Sequence, residues 1–156
     1  MSLRHRSGFT LFELLIVITL IGVVLALAYP KIGRTAKVAS LRTARSSMIT
    51  ALNVTKSSAV TSGKCAYTKL TSSAVTVFTT PCQGGTQRQI VSNRNFQNDY
   101  GVTLTLTKGA GSALSADSIG FDPRGVPLNT TQSSVFTITN SAGSRTVSIG
   151  NYGMIQ

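Results

Sequence analysis

Few residues in this chain could carry acid–base or nucleophilic chemistry. Its 156 residues hold one histidine, His5, and four acids, Glu13, Asp99, Asp117 and Asp122. A Ser-His-Asp relay and the usual zinc sets both need histidine beside its partners. His5 instead stands in a basic leader, Arg4-His5-Arg6, ahead of a long apolar run. Two of the aspartates could in principle form a carboxylate pair of the glycosidase kind, but turn roles suit them better. With no Trp in the chain, no aromatic platform for sugar is evident. The stretch KGAGS (108–112) lacks the Gly-x-x-x-x-Gly-Lys spacing and the following helix that a phosphate-cradling loop requires. The expectation is a protein that is not an enzyme, with no catalytic residue, no metal and no cofactor.

Two cysteines remain, Cys65 and Cys82. No Cys-x-x-Cys and no neighbouring histidine suggests metal binding, and an even pair in a chain with an export-like N-terminus reads as a disulfide. Closing a loop of this size stabilises a fold by roughly 3 kcal/mol. The pair therefore implies an oxidising compartment.

The chain is long enough for one domain with a single core plus an extension. Fifteen Lys and Arg face four acids, a net charge of +11, while charged residues make up only 12 %. The surface attracts polyanions, nucleic acid or anionic lipid alike. Solubility must rest on Ser, Thr, Asn and Gly, as in secreted β-proteins and filament subunits.

Residues 9–28 are almost wholly apolar, and as a helix they would extend about 30 Å, one bilayer core. Three readings compete. Arg4 and Arg6, the apolar middle and Ala26-Leu27-Ala28 fit an ordinary signal peptide; the run also fits a plain membrane anchor, or a leader cut just before Phe9. Glu13 discriminates among them. A carboxylate at membrane depth costs a few kcal/mol or more and is usually paired and functional. Only cleavage after Gly8 supplies a use for it, because that frees the amine of Phe9. Amine and carboxylate on neighbouring helices can then neutralise each other in a dry bundle, and the pair fixes the offset at which subunits stack.

The stretch SGFTLFELLIVITLIGVVLALAYP resembles the N-terminus of type IV pilins and type II secretion pseudopilins. Gly8 matches the residue before the scissile bond, Phe9 the residue that becomes N-methylated, and Glu13 the fifth residue counted from Phe9. Pro30 matches a site where such helices kink or loosen. Phe12 stands where that family usually has Ile or Val, a departure that leaves the chemistry intact. The resemblance implies a prepilin peptidase that cuts and methylates on the cytoplasmic side, and partners in other pilins or pseudopilins. One feature opposes the implied orientation. Lys31, Arg34, Lys37, Arg42 and Arg45 follow the span, and the positive-inside tendency would keep that side cytoplasmic. The cysteine pair and the inward-facing cleavage motif outweigh it.

Beyond Pro30, residues Leu41, Ala44, Met48, Ala51, Leu52, Thr55 and Ala59 recur at helical spacing, one apolar stripe to pack on a sheet. Gly63 suits a stop after Ser62. The period then changes to two. AVTVFTT (74–80), GVTLTLT (101–107), SIGF (118–121), VFTITN (135–140) and RTVSIG (145–150) read as strands, the last two around a hairpin turn at SAGS. DPRG reads as a type I turn with Pro123 second and Gly125 fourth. The order predicts an α+β fold, one long helix covering an antiparallel sheet. This resembles the small FimT-like minor pilins and the pseudopilin H group, with FDPRGVP (121–127) and GSRTVSIGNYG (143–153) as the weaker downstream matches.

The expected organisation is a leader (1–8), a transmembrane and assembly helix (9–29), a periplasmic half of that helix (30–62) and a sheet domain (63–156). The chain would be held singly in the inner membrane with its head in the periplasm, then enter a pilus or pseudopilus. Its role is that of a minor pilin or pseudopilin; the alternatives are DNA capture for transformation and service in a type II secretion system. Losing Arg4 and Arg6 leaves 13 basic residues against four acids, a net +9. Arg88, Arg94, Arg124 and Arg145 are the candidate DNA contacts, with Tyr152 as a stacking partner.

Overall fold

The computed structural model describes residues 9–108, 117–128 and 133–156. Arg4, His5, Arg6, Gly8 and residues 109–112 of KGAGS lie outside the described residues. The first helix, α1 (Leu11–Ser62), runs through Pro30, and the chain divides into two compact units, Met1–Ala36 and Lys37–Gln156.

In the first unit, Thr10 caps α1. Its Oγ1 accepts the Glu13 N–H at 3.2 Å, and its carbonyl accepts the same N–H at 3.1 Å, which satisfies a donor that helix geometry leaves open. The apolar side chains from Leu11 to Leu27 are exposed on every side of the helix. Among the described residues no helix is long and apolar enough to cross a membrane.

The second unit builds the core. Leu41, Ala44, Met48, Leu52, Thr55 and Ala59 are buried along one helix face, with Ala51 half-buried beside them. After Ser62 the helix stops at Gly63, whose φ of +62° suits a residue without Cβ. Among the described residues seven strands follow, in two antiparallel sheets rather than the single sheet expected. The first sheet has the order β3-β2-β1-β5, with β1 (Cys65–Leu70), β2 (Ala74–Thr80), β3 (Arg88–Asn95) and β5 (Ser118–Phe121). The second has the order β4-β6-β7, with β4 (Thr103–Thr107), β6 (Ser134–Asn140) and β7 (Gly143–Ile149). Strands β1 and β3 had no counterpart in the sequence reading. A five-residue helix, α2 (Phe96–Tyr100), also enters, capped by the Asn95 side chain and by Gly101 in the left-handed region.

Phe96, Phe121, Phe136, Ile119, Ile138 and Val147 join the helix stripe in one apolar cluster. Two hydroxyl contacts fix α1 on it. Thr55 Oγ1 and Thr68 Oγ1 lie 2.6 Å apart in the buried interior, and Ser47 Oγ meets the Tyr100 hydroxyl at 2.8 Å. Thr55 also donates back to the Ala51 carbonyl at 2.7 Å, so neither buried hydroxyl is left unpartnered.

Candidate functional site

At the N-terminus, Phe9 is 77 % exposed and Glu13 is exposed in the first turn of α1. The unsatisfied N–H groups there carry partial positive charge, which favours a carboxylate by roughly 0.3–1 kcal/mol. Among the described residues Glu13 makes no ion pair. Thr10-Leu11-Phe12-Glu13 has the Thr-x-x-Glu spacing of a capping box, a signal that the sequence reading passed over. The same carboxylate that is costly in lipid is thus placed where its own helix tolerates it best.

Cys65 and Cys82 form a disulfide, with Cα atoms 4.9 Å apart. Cys82 follows β2, and Cys65, the first residue of β1, pairs with Thr80 across the β1–β2 ladder. The bridge therefore closes the open end of that hairpin, just after the turn out of α1. Both thiols should resist alkylation in the native protein until reductant is added. Cys82→Ser should lower stability by about 2–4 kcal/mol, read as a fall in the urea midpoint. Free thiols in the native chain would contradict the pairing.

The stretch FDPRGVP forms a tight turn around Asp122. Gly125 N–H donates to the Asp122 carbonyl at 2.9 Å, with Gly125 at φ +78°. The Asp122 carboxylate accepts the N–H groups of Arg124 at 2.8 Å and Val126 at 2.9 Å, and Arg124 Nε at 3.0 Å. Burial pushes this carboxyl up, but the Val126 and Arg124 donors outweigh it and hold it below its ordinary value. A depressed folded value means stability that is full well above the ordinary carboxylate pKa, about 3.9, and is lost as pH falls through the lower folded value. Asp122→Asn should therefore be less stable than wild type at pH 7, and the gap should narrow in urea melts as pH falls below the ordinary carboxylate pKa. A gap independent of pH would refute this role.

The C-terminal stretch does not continue as a strand through Gly153. After Ile149 it turns, with Gly153 N–H donating to the Gly150 carbonyl at 2.9 Å. The tail then doubles back on β7: Ser148 and Gln156 exchange N–H···O bonds of 2.9 Å in both directions, and Ile149 bridges to Ile155. Lys56 Nζ on α1 donates to the Gly153 carbonyl at 2.9 Å and fastens this tail.

The four arginines offered as DNA contacts are not gathered on one surface patch by any contact between them. Arg94 lies 3.9 Å from Asp99 and Arg124 3.0 Å from Asp122, both in exposed pairs. Arg88 is exposed on β3, and Arg145 is exposed on β7 beside two helix arginines. Tyr152 is 82 % exposed. Arg42 and Arg45, which the sequence reading assigned to the membrane-proximal basic run, belong to this head.

A capped apolar helix, exposed all round, joined in sequence to a head of antiparallel sheets defines a filament subunit of the type IV pilin class. A model of the type II transport protein GspH matches residues 44–153, and one of the prokaryotic N-terminal methylation motif matches residues 3–29. The chain belongs to the GspH family, and its function is that of a minor pilin or pseudopilin. The fold is similar to that of the type IV minor pilin FimU of Pseudomonas aeruginosa (TM-score 0.58, 17 % identity, 74 % of this chain and 86 % of that one). It is similar also to the minor pseudopilin EpsH from the type 2 secretion system of Vibrio cholerae (TM-score 0.56, 12 % identity, 75 % and 94 %). No curated protein matches the chain. Subunits of this class are structural, are anchored in the membrane through the N-terminal helix, and end in a filament.

Proposed function

We propose that the chain is cut between Gly8 and Phe9 by a prepilin peptidase, methylated on the Phe9 amine, and assembled through the helix that begins at Leu11. Before assembly that helix would anchor the chain in the inner membrane, with the head in the periplasm. The observation that carries this reading is the apolar surface of α1 from Leu11 to Leu27, which is exposed among the described residues and carries a single carboxylate, Glu13, near its start. An apolar surface of this extent is covered by lipid or by other helices. In the filament, Glu13 would neutralise the Phe9 amine of a neighbouring subunit, and Pro30, which lacks an N–H for the Ala26 carbonyl, would loosen the helix between anchor and head.

Intact-mass spectrometry of protein from native membranes tests the processing. The expected chain starts at N-methylated Phe9; a terminus at Tyr29 would identify an ordinary signal peptide and overturn the reading. Pilus and secretion pseudopilus use the same helix, and the likeness to FimU and EpsH supports each equally. For DNA capture, the support is limited to the net charge and to Arg88 and Arg145, which are exposed without an ion pair among the described residues.

A further inference from the structure

We propose that the head carries a binding site for a multiply charged phosphate group, in the recess between α1 and β7 lined by Arg42, Arg45, Arg145 and Thr146. The recess is open, with a volume of about 510 Å³. Arg42 and Arg45 are three residues apart on α1 and so share a face; Arg145 and Thr146 come from β7. Arg45 is already oriented, because its Nε donates to the Thr146 carbonyl at 3.0 Å. That bond uses one of five guanidinium donors and leaves the others for a ligand.

The electrostatics call for an anion. Arg42 and Arg145 are exposed and make no ion pair among the described residues, and no carboxylate lines the recess. The three aspartates of the head are occupied elsewhere, Asp117 near Lys69, Asp99 near Arg94 and Asp122 near Arg124. Three like charges around one opening repel each other until an anion enters. Planar guanidinium forks match both carboxylate and phosphate oxygens. The charge decides between them: a lone carboxylate answers one of the three cations, whereas a phosphate monoester carries about two charges at neutral pH.

The surroundings narrow the source. Nucleic-acid strands are held by a track of cations with aromatic stacking partners. Among the described residues no aromatic lines the recess, and Arg88, Arg94 and Arg124 are not among its walls. Protein interfaces set arginines among apolar and aromatic neighbours, and among the described residues none lines this recess. The ligand is a discrete phosphate, either free in solution or on a lipid headgroup. This site stands independently of the processing and assembly reading.

The test uses full-length protein in neutral detergent at about 0.15 M salt, titrated with pyrophosphate in a calorimeter. Wild type should bind saturably, and the double variant R42Q/R145Q at least tenfold more weakly. A charge-matched control, K64Q/R88Q, should bind as wild type does. All four side chains are exposed, so equal thermal midpoints for the two doubles should verify intact folding. Mixed micelles containing phosphatidic acid, set against phosphatidylcholine, then separate the sources: competition with pyrophosphate assigns a lipid headgroup, and its absence a free phosphate. Equal weakening in both doubles, no saturable binding by wild type, or tighter binding of a single-stranded oligonucleotide that K64Q/R88Q also weakens would overturn the site.

Discussion

Glu13→Ala is expected to leave the chain cleaved and membrane-inserted yet to cut its entry into filaments by at least about a hundredfold. Removing one partner of a buried charge pair costs roughly 3–5 kcal/mol, because the other charge stays buried and unanswered, and each 1.4 kcal/mol is a factor of ten. In the proposed assembly the stranded group would be the Phe9 amine of the adjoining subunit. Alanine also forfeits the favourable placement of a first-turn carboxylate at the positive end of its own helix, but that placement is worth under about 1 kcal/mol and acts before assembly as well as after. Glu13→Asp should recover little, since its carboxylate is one methylene short. Immunoblots of sheared filaments against the membrane fraction measure the ratio. Normal incorporation of the alanine variant would remove the charge pair from the account of assembly.

Gly153→Ala should be among the most destabilising single changes in the head. Gly153 has φ +75°, and a Cβ built there would lie 2.4 Å from the Gly125 carbonyl oxygen, with the Pro127 ring and Lys56 Nζ at 3.5 Å. The left-handed backbone costs a residue with Cβ about 1–3 kcal/mol, and overlap with a backbone atom adds about as much again. A total near 4 kcal/mol should lower Tm by about 10 °C for a chain of this size. Gly63→Ala is the control: its φ is +62°, but nothing lies within 4 Å of the added methyl, so about 1 kcal/mol is expected. Similar melting shifts for the two variants would mean that the contact between the tail and the Asp122 turn is not tight.

The elements legible in the sequence were those whose pattern is local. The buried stripe from Leu41 to Ala59 repeats every three or four residues, and β2, β4, β6 and β7 alternate with β-branched residues. Strand β1, CAYTKL, escaped because its inward positions include Thr68, a polar residue made tolerable only by Thr55 thirteen residues away. Strand β3, RQIVSNRN, escaped because it is an edge strand, polar on both faces and carrying two arginines. Helix α2 has five residues, too few to display a period. The division into two sheets depends on which strands pair, a non-local choice. Site residues divide in the same way. Thr10 could have been read from the spacing Thr-x-x-Glu, whereas the approach of Arg145 to Arg42 and Arg45, a hundred residues away in the chain, could not.

The returning tail also bears on how heads behave when crowded. A sheet ends in rows of unpaired N–H and C=O groups, which invite pairing with another molecule. Ile155 and Gln156 occupy part of that row on β7, and Pro127 and Leu128 do the same for β5 through Phe121 and Gly120. Edge strand β3 carries Arg88 and Arg94, and its ladder with β2 is interrupted by register shifts around Val77; β4 is only five residues long. Heads at filament density are thus poor templates for one another's strands, which would leave polymerisation to the helices of the proposed assembly instead of to runaway sheet growth.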